Sequence, residues 1–359
     1  MRLVKCNRGG NMLDERKLKI LYAIINSYIL SAEPIGSRTI TKQYDLGVSS
    51  ATVRNEMSDL EDLGYLNKPH SSAGRVPSDK AYRLYVDQLL KMIKPKIDFD
   101  RKEAIKKTLL REAREMDQLL QNSARLLSAI TSYTALAVSP KMKGAKIKLI
   151  QLVPIDEIQV LMTIVSDTGV VKNSIFRMNG PISEDQINTI SNMLNDKLKG
   201  LPVDRINDDL ATEIIMEIYE YKNVIDKIIP IINKSLEDVQ DVDIYADGIT
   251  KILDFPEYKD LEKAKTFISF IEDKDTIVEL LLNNSLTQDI EISIGSENVY
   301  DPIKDCSLIT ANYRLGDRVI GKIGVIGPTR MDYYNVINNL YLVSINISEI
   351  IDTLLGKNR

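Results

Sequence analysis

The chain has 359 residues, 44% of them hydrophobic and 27% charged, with a formal net charge of −4, which is the make-up of an ordinary soluble protein of two or three domains. One histidine and two cysteines, Cys6 and Cys306, are too few for a His/Cys metal site or a disulfide framework, and no run reaches the roughly 18 apolar residues of a membrane span. Residues 1–11 carry +3, residues 12–92 carry +1 and the remaining 267 residues carry −8, so the acidity lies towards the C-terminus and leaves a nucleic-acid contact open near the N-terminus.

Met1 to Asn11 reads as an unstructured basic tail, with Met12 an alternative start. No apolar core follows it as a secretory signal requires, so a cytoplasmic protein is expected. Leu13 to Ser31 places Leu18, Leu21, Tyr22, Ile25 and Ile29 on one helical face, and Pro34 and Gly36 close that helix. Ser37 is expected to cap a short helix to Tyr44, and Asp45-Leu46-Gly47-Val48 makes the tight turn of a helix-turn-helix. In the helix that follows, Val53, Met57 and Leu60 form a buried stripe while Ala51, Asn55 and Ser58 lie opposite, flanked by Thr52 and Arg54. Ser49 or Ser50 can cap it. The acids Asp59, Glu61 and Asp62 come late, an asymmetry suited to a helix that enters the major groove by its N-terminal end. Asn55 can pair with adenine, Arg54 with guanine or a phosphate, and Ala51 or the Thr52 methyl with a thymine methyl. A solvated amphipathic helix uses the same residue types, and the neighbouring residues favour the DNA reading. Gly64 ends the helix, Tyr65 and Leu66 read as a short strand, His70 to Gly74 supplies a turn, and Arg75-Val76 returns. From Gly64 to Arg83, Lys68, Arg75, Lys80 and Arg83 face only Asp79, giving a wing of charge +3. Arg38, on the preceding helix, is counted with the candidate DNA contacts. His70, the only histidine, is read as a phosphate or groove contact, because no nucleophile–base set can be built around it.

A further helix runs from Pro77-Ser78-Asp79 to about Ile93, with Tyr82 and Tyr85 packing onto the domain, and Lys94-Pro95-Lys96 is a linker. One long helix is expected from Asp100 to Ser132, with Ile105, Leu109, Met116, Leu119, Leu120, Leu126, Leu127 and Ile130 forming its apolar stripe. Strand patterns then follow at Ala135 to Val138, Lys146 to Val153, Ile158 to Val165 and Val170 to Met178, with Pro140 among the breaks. They read as one antiparallel sheet, interrupted by helices at Ser183 to Leu198 and Asp208 to Gln240. Strands resume at Asp243 to Ala246, Ile290 to Ile294 and Ser307 to Tyr313, with helices at Leu261 to Glu272, Asp275 to Asn284 and Tyr333 to Leu355. Gly321-Lys322-Ile323-Gly324-Val325-Ile326-Gly327 is not the dinucleotide fingerprint, and Lys322 to Ile326 reads as a core strand. No cofactor and no catalytic activity are expected.

The strings SAEPIGSRTI, VSSATVRNEMSDLEDLGYL and KPHSSAGRVPSDKAYRLYVD in the N-terminal part, with YRLGDRVIGKIGVIGPTRMDY near the end, resemble the heat-inducible transcription repressor family HrcA over nearly the whole chain. The resemblance implies an α+β multidomain protein. A winged helix-turn-helix would span residues 12–93, and a GAF-like α/β sheet domain would occupy 97–179 and 243–359, with a dimerising domain inserted at 180–242. It also implies a homodimer that represses chaperone operons of the groE and dnaK type by binding the CIRCE inverted repeat, its activity supported by the GroE chaperonin. Matched residue by residue, the DNA contacts would be Ser49, Ser50, Ala51, Thr52, Arg54 and Asn55 on the helix, with Lys68, His70, Ser71, Ser72 and Arg75 on the wing. The bases of Met1 to Asn11 depart from the family's usual short start. The alternative is a regulator whose GAF-like domain senses a small molecule.

Overall fold

The structure, a computed structural model, describes residues 13–70, 73–92, 98–111, 115–139, 145–178, 180–203, 242–282 and 289–355. The basic tail, Ser71, Ser72, the Lys94 to Lys96 linker, Pro140 and the helix expected from Asp208 to Gln240 lie outside the described residues.

The N-terminal part contains α1 (Glu15–Ser31), α2 (Ser37–Gln43) and α3 (Ser50–Asp62), then a two-stranded hairpin of β1 (Leu66–Asn67) and β2 (Val76–Pro77), then α4 (Asp79–Met92). Asp14 caps α1 by accepting from the Lys17 amide. Ser37 does not cap α2 as expected. It is the first helical residue, Gly36 stands at the cap, and the Ser37 hydroxyl instead lies 3.1 Å from that of Ser50, joining α2 to α3.

Downstream, α5 (Phe99–Leu110) and α6 (Met116–Thr131) replace the single long helix expected there. The apolar stripe continues, but Glu115 is extended (φ −131°, ψ 161°), and an extended residue cannot carry the i to i−4 ladder onward. α6 lies against the central sheet and against the final helix.

The expected single sheet is two sheets. The larger has strand order β7 (Ile244–Asp247), β3 (Thr134–Val138), β10 (Arg318–Pro328), β9 (Cys306–Leu315), β8 (Ile290–Ile294), all antiparallel. The strands β4 (Ile147–Pro154), β5 (Gln159–Ser166) and β6 (Val171–Arg177) form their own three-stranded meander, backed by α7 (Glu184–Leu198). The chain therefore leaves the central sheet at Ser139 and rejoins it at Asp243, where the Ser139 amide donates to the Asp243 carbonyl at 2.8 Å and the Asp243 amide to the Ser139 hydroxyl at 2.7 Å. The interruption expected at 180–242 begins about forty residues earlier by this pairing, because strands in both sheets carry the same alternating pattern and the pattern does not name the partner strand.

Apolar burial follows these layers. In the meander, Val160, Met162 and Ile164 alternate towards Ile187, Ile190, Leu194 and Leu198 of α7. In the central sheet, Ala135, Ala137, Ile309, Ala311, Ile323 and Val325 face α6 and α10 (Tyr333–Leu354). Leu136, Val138, Leu308 and Ile326 face the opposite layer of α8 (Leu261–Glu272) and α9 (Lys274–Leu282). The first of these cores continues without a break into the N-terminal helices through Ile20, Leu21, Ile24, Val53 and Leu60.

Candidate nucleic-acid interface

The geometry of α3 starts from its two ends. Ser49 is extended (φ −71°, ψ 158°) and its hydroxyl accepts from the Thr52 amide at 3.1 Å, so it is the cap and Ser50 is the first helical residue. Such a cap contributes about 1 kcal/mol. At the other end, the Gly64 amide donates to the Glu61 carbonyl and the Tyr65 amide to the Leu60 carbonyl, both at 2.8 Å. This is the Schellman pattern, with Gly64 at φ +75° taking the left-handed position that an L side chain disfavours.

Between these ends, Val53, Met57 and Leu60 are buried, and Ala51, Arg54, Asn55 and Ser58 are exposed. Glu56, only 9% exposed, joins the buried face. Its carboxylate receives Lys17 Nζ at 2.7 Å and Arg16 Nη1 at 3.5 Å, and Lys17 also reaches Asp59 at 3.0 Å. The hydrogen bond to Glu56, followed by that to Asp59, raises the Lys17 pKa well above its ordinary value. A charged spoke thus fixes the angle between α1 and α3. The hydrophobic pattern does not reveal it, since Glu56 sits beside an apolar stripe in sequence terms and its partner lies on another helix.

The hairpin is held against the same helices. The Ile35 and Arg75 backbones bond to each other in both directions at 2.9 Å. A Cβ on Gly74 would come within 2.5 Å of the Ile35 carbonyl oxygen, so this close approach admits only glycine without displacement.

The four bases assigned to the wing have separate fates. Arg75 is turned inward, its Nε 2.7 Å and its Nη2 2.6 Å from Glu61. Lys80 donates to the Leu63 carbonyl at 2.9 Å and lies 4.4 Å over the Tyr65 ring. Arg83 points away from the hairpin, towards Glu297. Lys68 is exposed, as is His70 at the hairpin tip.

A groove of about 420 Å³ opens between α2, α3 and the hairpin, lined by Gly36, Arg38, Arg54, Met57, Lys68 and Gly74 among others. Arg38, Arg54 and Lys68 have no ion-pair partner among the described residues. The interface thus brings three cations to the rim of a groove beside the uncharged, capped start of α3. Arg38 and Arg54 come from two different helices, and Lys68 from the hairpin. Phosphate oxygens suit such cations, and exposed Ala51, Asn55 and half-exposed Thr52 offer the small and hydrogen-bonding groups that meet base edges.

Elsewhere, the glycine-rich stretch Gly321 to Gly327 is buried within β10, with Lys322 paired to Glu291 at 2.6 Å. Among the described residues no group of three His, Cys, Asp or Glu is placed to hold a metal ion, and no helix is long and apolar enough to cross a membrane.

The comparisons with known proteins agree with one another. The family described as HrcA protein C terminal domain matches residues 117–337. A heat-inducible transcription repressor HrcA from Alkaliphilus metalliredigens is 43% identical over 339 residues, covering 94% of this chain and 98% of the relative. The protein of the same name from Clostridium tetani is 44% identical over 330 residues, covering 91% and 93%. A crystal structure of a protein described only as hypothetical superposes with a TM-score of 0.66 at 22% identity, covering 96% of this chain and all of that one, a likeness of fold. Because the family match spans the interrupted central sheet and the relatives match nearly the whole chain, the N-terminal helices with their cationic groove included, the chain belongs to the HrcA family of heat-inducible transcription repressors.

Proposed function

We propose that α1 to α4 and the hairpin are a winged helix-turn-helix, residues 13–92, that α3 enters the major groove of an operator, and that the hairpin lies along the flanking backbone. The observation that carries this reading is the groove in which Arg38, Arg54 and Lys68 converge beside the start of α3. Its three cations can neutralise only a few phosphates, so one copy binds weakly and with a shallow salt dependence. A homodimer whose two readers meet the two arms of an inverted repeat supplies the missing affinity. In this reading the central sheet and its helices form the GAF-like body, and the excursion between Ser139 and Asp243 is the inserted dimerising domain. The operator is the CIRCE element ahead of groE- and dnaK-type operons, and the GroE chaperonin supports the DNA-competent form. The names of the relatives support the repressor assignment. The face of the sheet that meets α8 and α9 is filled by Leu136, Leu308, Ile326, Phe267 and Leu281, which argues against a small-molecule signal held on that face.

A gel-shift titration against a CIRCE-type inverted repeat and a scrambled duplex, at two salt concentrations, tests the proposal. Preferential binding that requires both arms, strengthened by chaperonin, is the expected result. Equal binding to both duplexes would overturn it.

A further inference from the structure

The reader is fastened to the body at two separate places, neither of which touches the groove. The first lies on α4. The Asp79 carboxylate accepts from the Ser296 amide at 2.8 Å, pressed against Gly295, where any Cβ would collide with it. One turn on, Arg83 Nε donates to Glu297 at 2.7 Å, and Nη2 donates to the other Glu297 oxygen and, at 2.7 Å, to the Ile292 carbonyl. Glu297 in turn accepts from the Ile294 amide at 2.9 Å. Ile292 and Ile294 belong to β8, the edge strand of the central sheet, so Arg83 and Glu297 together occupy hydrogen-bonding groups of that open edge. Between Asp79 and Arg83, Tyr82 is 2% exposed with its ring 5.8 Å from that of Tyr333.

The second fastening lies on α1. Arg330 Nη1 donates to the Ile29 carbonyl in the last turn at 3.1 Å, while Glu257 holds the guanidinium at 3.2 Å and the Phe255 ring lies 5.4 Å away. A single tether would leave the reader free to swivel. Two charge-assisted fastenings on two helices, with an unbroken apolar core between them, fix its angle as well as its position.

We infer that Arg83, with Asp79 and Arg330, is a positioning residue that sets which spacing between operator arms the protein accepts. It does so by holding each reader at one angle to the body, without touching DNA. The inference rests on the DNA-reading proposal and adds the geometric selectivity of that site. A flexibly tethered pair of readers would follow arms moved around the helix, whereas a rigidly held pair cannot, and the gain from binding both arms is then lost.

The test measures affinity of the full chain for three duplexes: a CIRCE-type inverted repeat, the same arms with about five extra base pairs between them, which is half a helical turn, and a single arm. Wild type is expected to bind the lengthened repeat about a hundredfold more weakly than the original. Arg83→Glu should keep wild-type affinity for the single arm yet separate the two repeats by no more than about threefold, whereas Arg83→Lys, which keeps a cation able to donate to Glu297, should retain most of the discrimination. Arg83→Gln repeats the test with a milder change should the reversed charge prevent folding. Retention of full spacing discrimination by Arg83→Glu and Arg83→Gln would overturn the inference, as would tighter binding by either variant at the original spacing. Failure of wild type to prefer an arm over scrambled DNA would overturn the DNA-reading proposal instead.

Discussion

Neighbouring residues of α3 serve opposite ends. Glu56 faces inward to Lys17 at 2.7 Å, and removing its carboxylate leaves a half-buried lysine with a weakened set of counter-charges. Breaking such a pair costs several kcal/mol when nothing replaces it, but here Lys17 retains Asp59 at 3.0 Å. Glu56→Ala is therefore expected to lower the stability of the protein by about 2 kcal/mol, and Ser58→Ala on the exposed face to leave it unchanged, as denaturant unfolding of both variants can measure. Outward, Arg54→Ala and Asn55→Ala should each cost about 1–3 kcal/mol of operator binding and relax the preference at particular bases. Lys68→Ala should weaken all duplexes alike and reduce the salt slope by about 1. Arg75 belongs with neither group, since Glu61 holds its guanidinium. Arg75→Ala should act by loosening the hairpin, so its loss of affinity should be accompanied by a loss of stability. Equal losses on operator and random DNA for Arg54→Ala and Asn55→Ala would undo this division.

At the scale of elements, β10 is a strand of ten buried or half-buried residues after Arg318, with one charge inside it. Lys322 is 1% exposed and donates to Glu291 of β8 across the intervening strand at 2.6 Å. Glu291→Ala strands that ammonium in the sheet and should cost about 3 kcal/mol, while Lys322→Met combined with Glu291→Leu should recover most of it, because an apolar pair needs no desolvated charge. Thermal melts of the single and double variants decide the matter. Within α3 and the hairpin much of the structure was legible from sequence, because caps, Gly64 and an i, i+3, i+4 stripe are short-range signals. Neither the division into two sheets nor the start of the excursion at Ser139 was legible, since alternation marks a strand without naming its neighbour. The break at Glu115 leaves no mark in the pattern for a related reason: the apolar spacing from Ile105 to Leu119 continues across it. Arg83 follows the hairpin bases closely in the chain, yet its partner Glu297 is 214 positions away, a pairing that no local pattern reveals.

For the whole molecule, the fastenings between parts make stability depend on pH in a direction that can be worked out. Burial alone would raise the Glu297 carboxyl, but the Arg83 guanidinium and the Ile294 amide outweigh it and hold the pKa below the ordinary 4.5. Glu349, which Lys102 and Lys106 clasp to join α5 to α10, is lowered against the same burial penalty by those two ammonium groups. A carboxyl whose pKa is lower folded than unfolded binds fewer protons in the native state. Its stabilisation is therefore complete above the unfolded value and disappears as pH falls through the folded one. The joint between reader and body and the clasp between α5 and α10 are accordingly expected to hold at neutral pH and to weaken together below the ordinary carboxylate range. Denaturant unfolding followed from about pH 7 to about pH 3 should show this loss. Glu297→Gln should be less stable than wild type at neutral pH and converge on it at the acid end, because the variant carries no proton to gain. A constant gap between the two proteins across that range would mean that the Arg83 contact contributes through shape rather than charge.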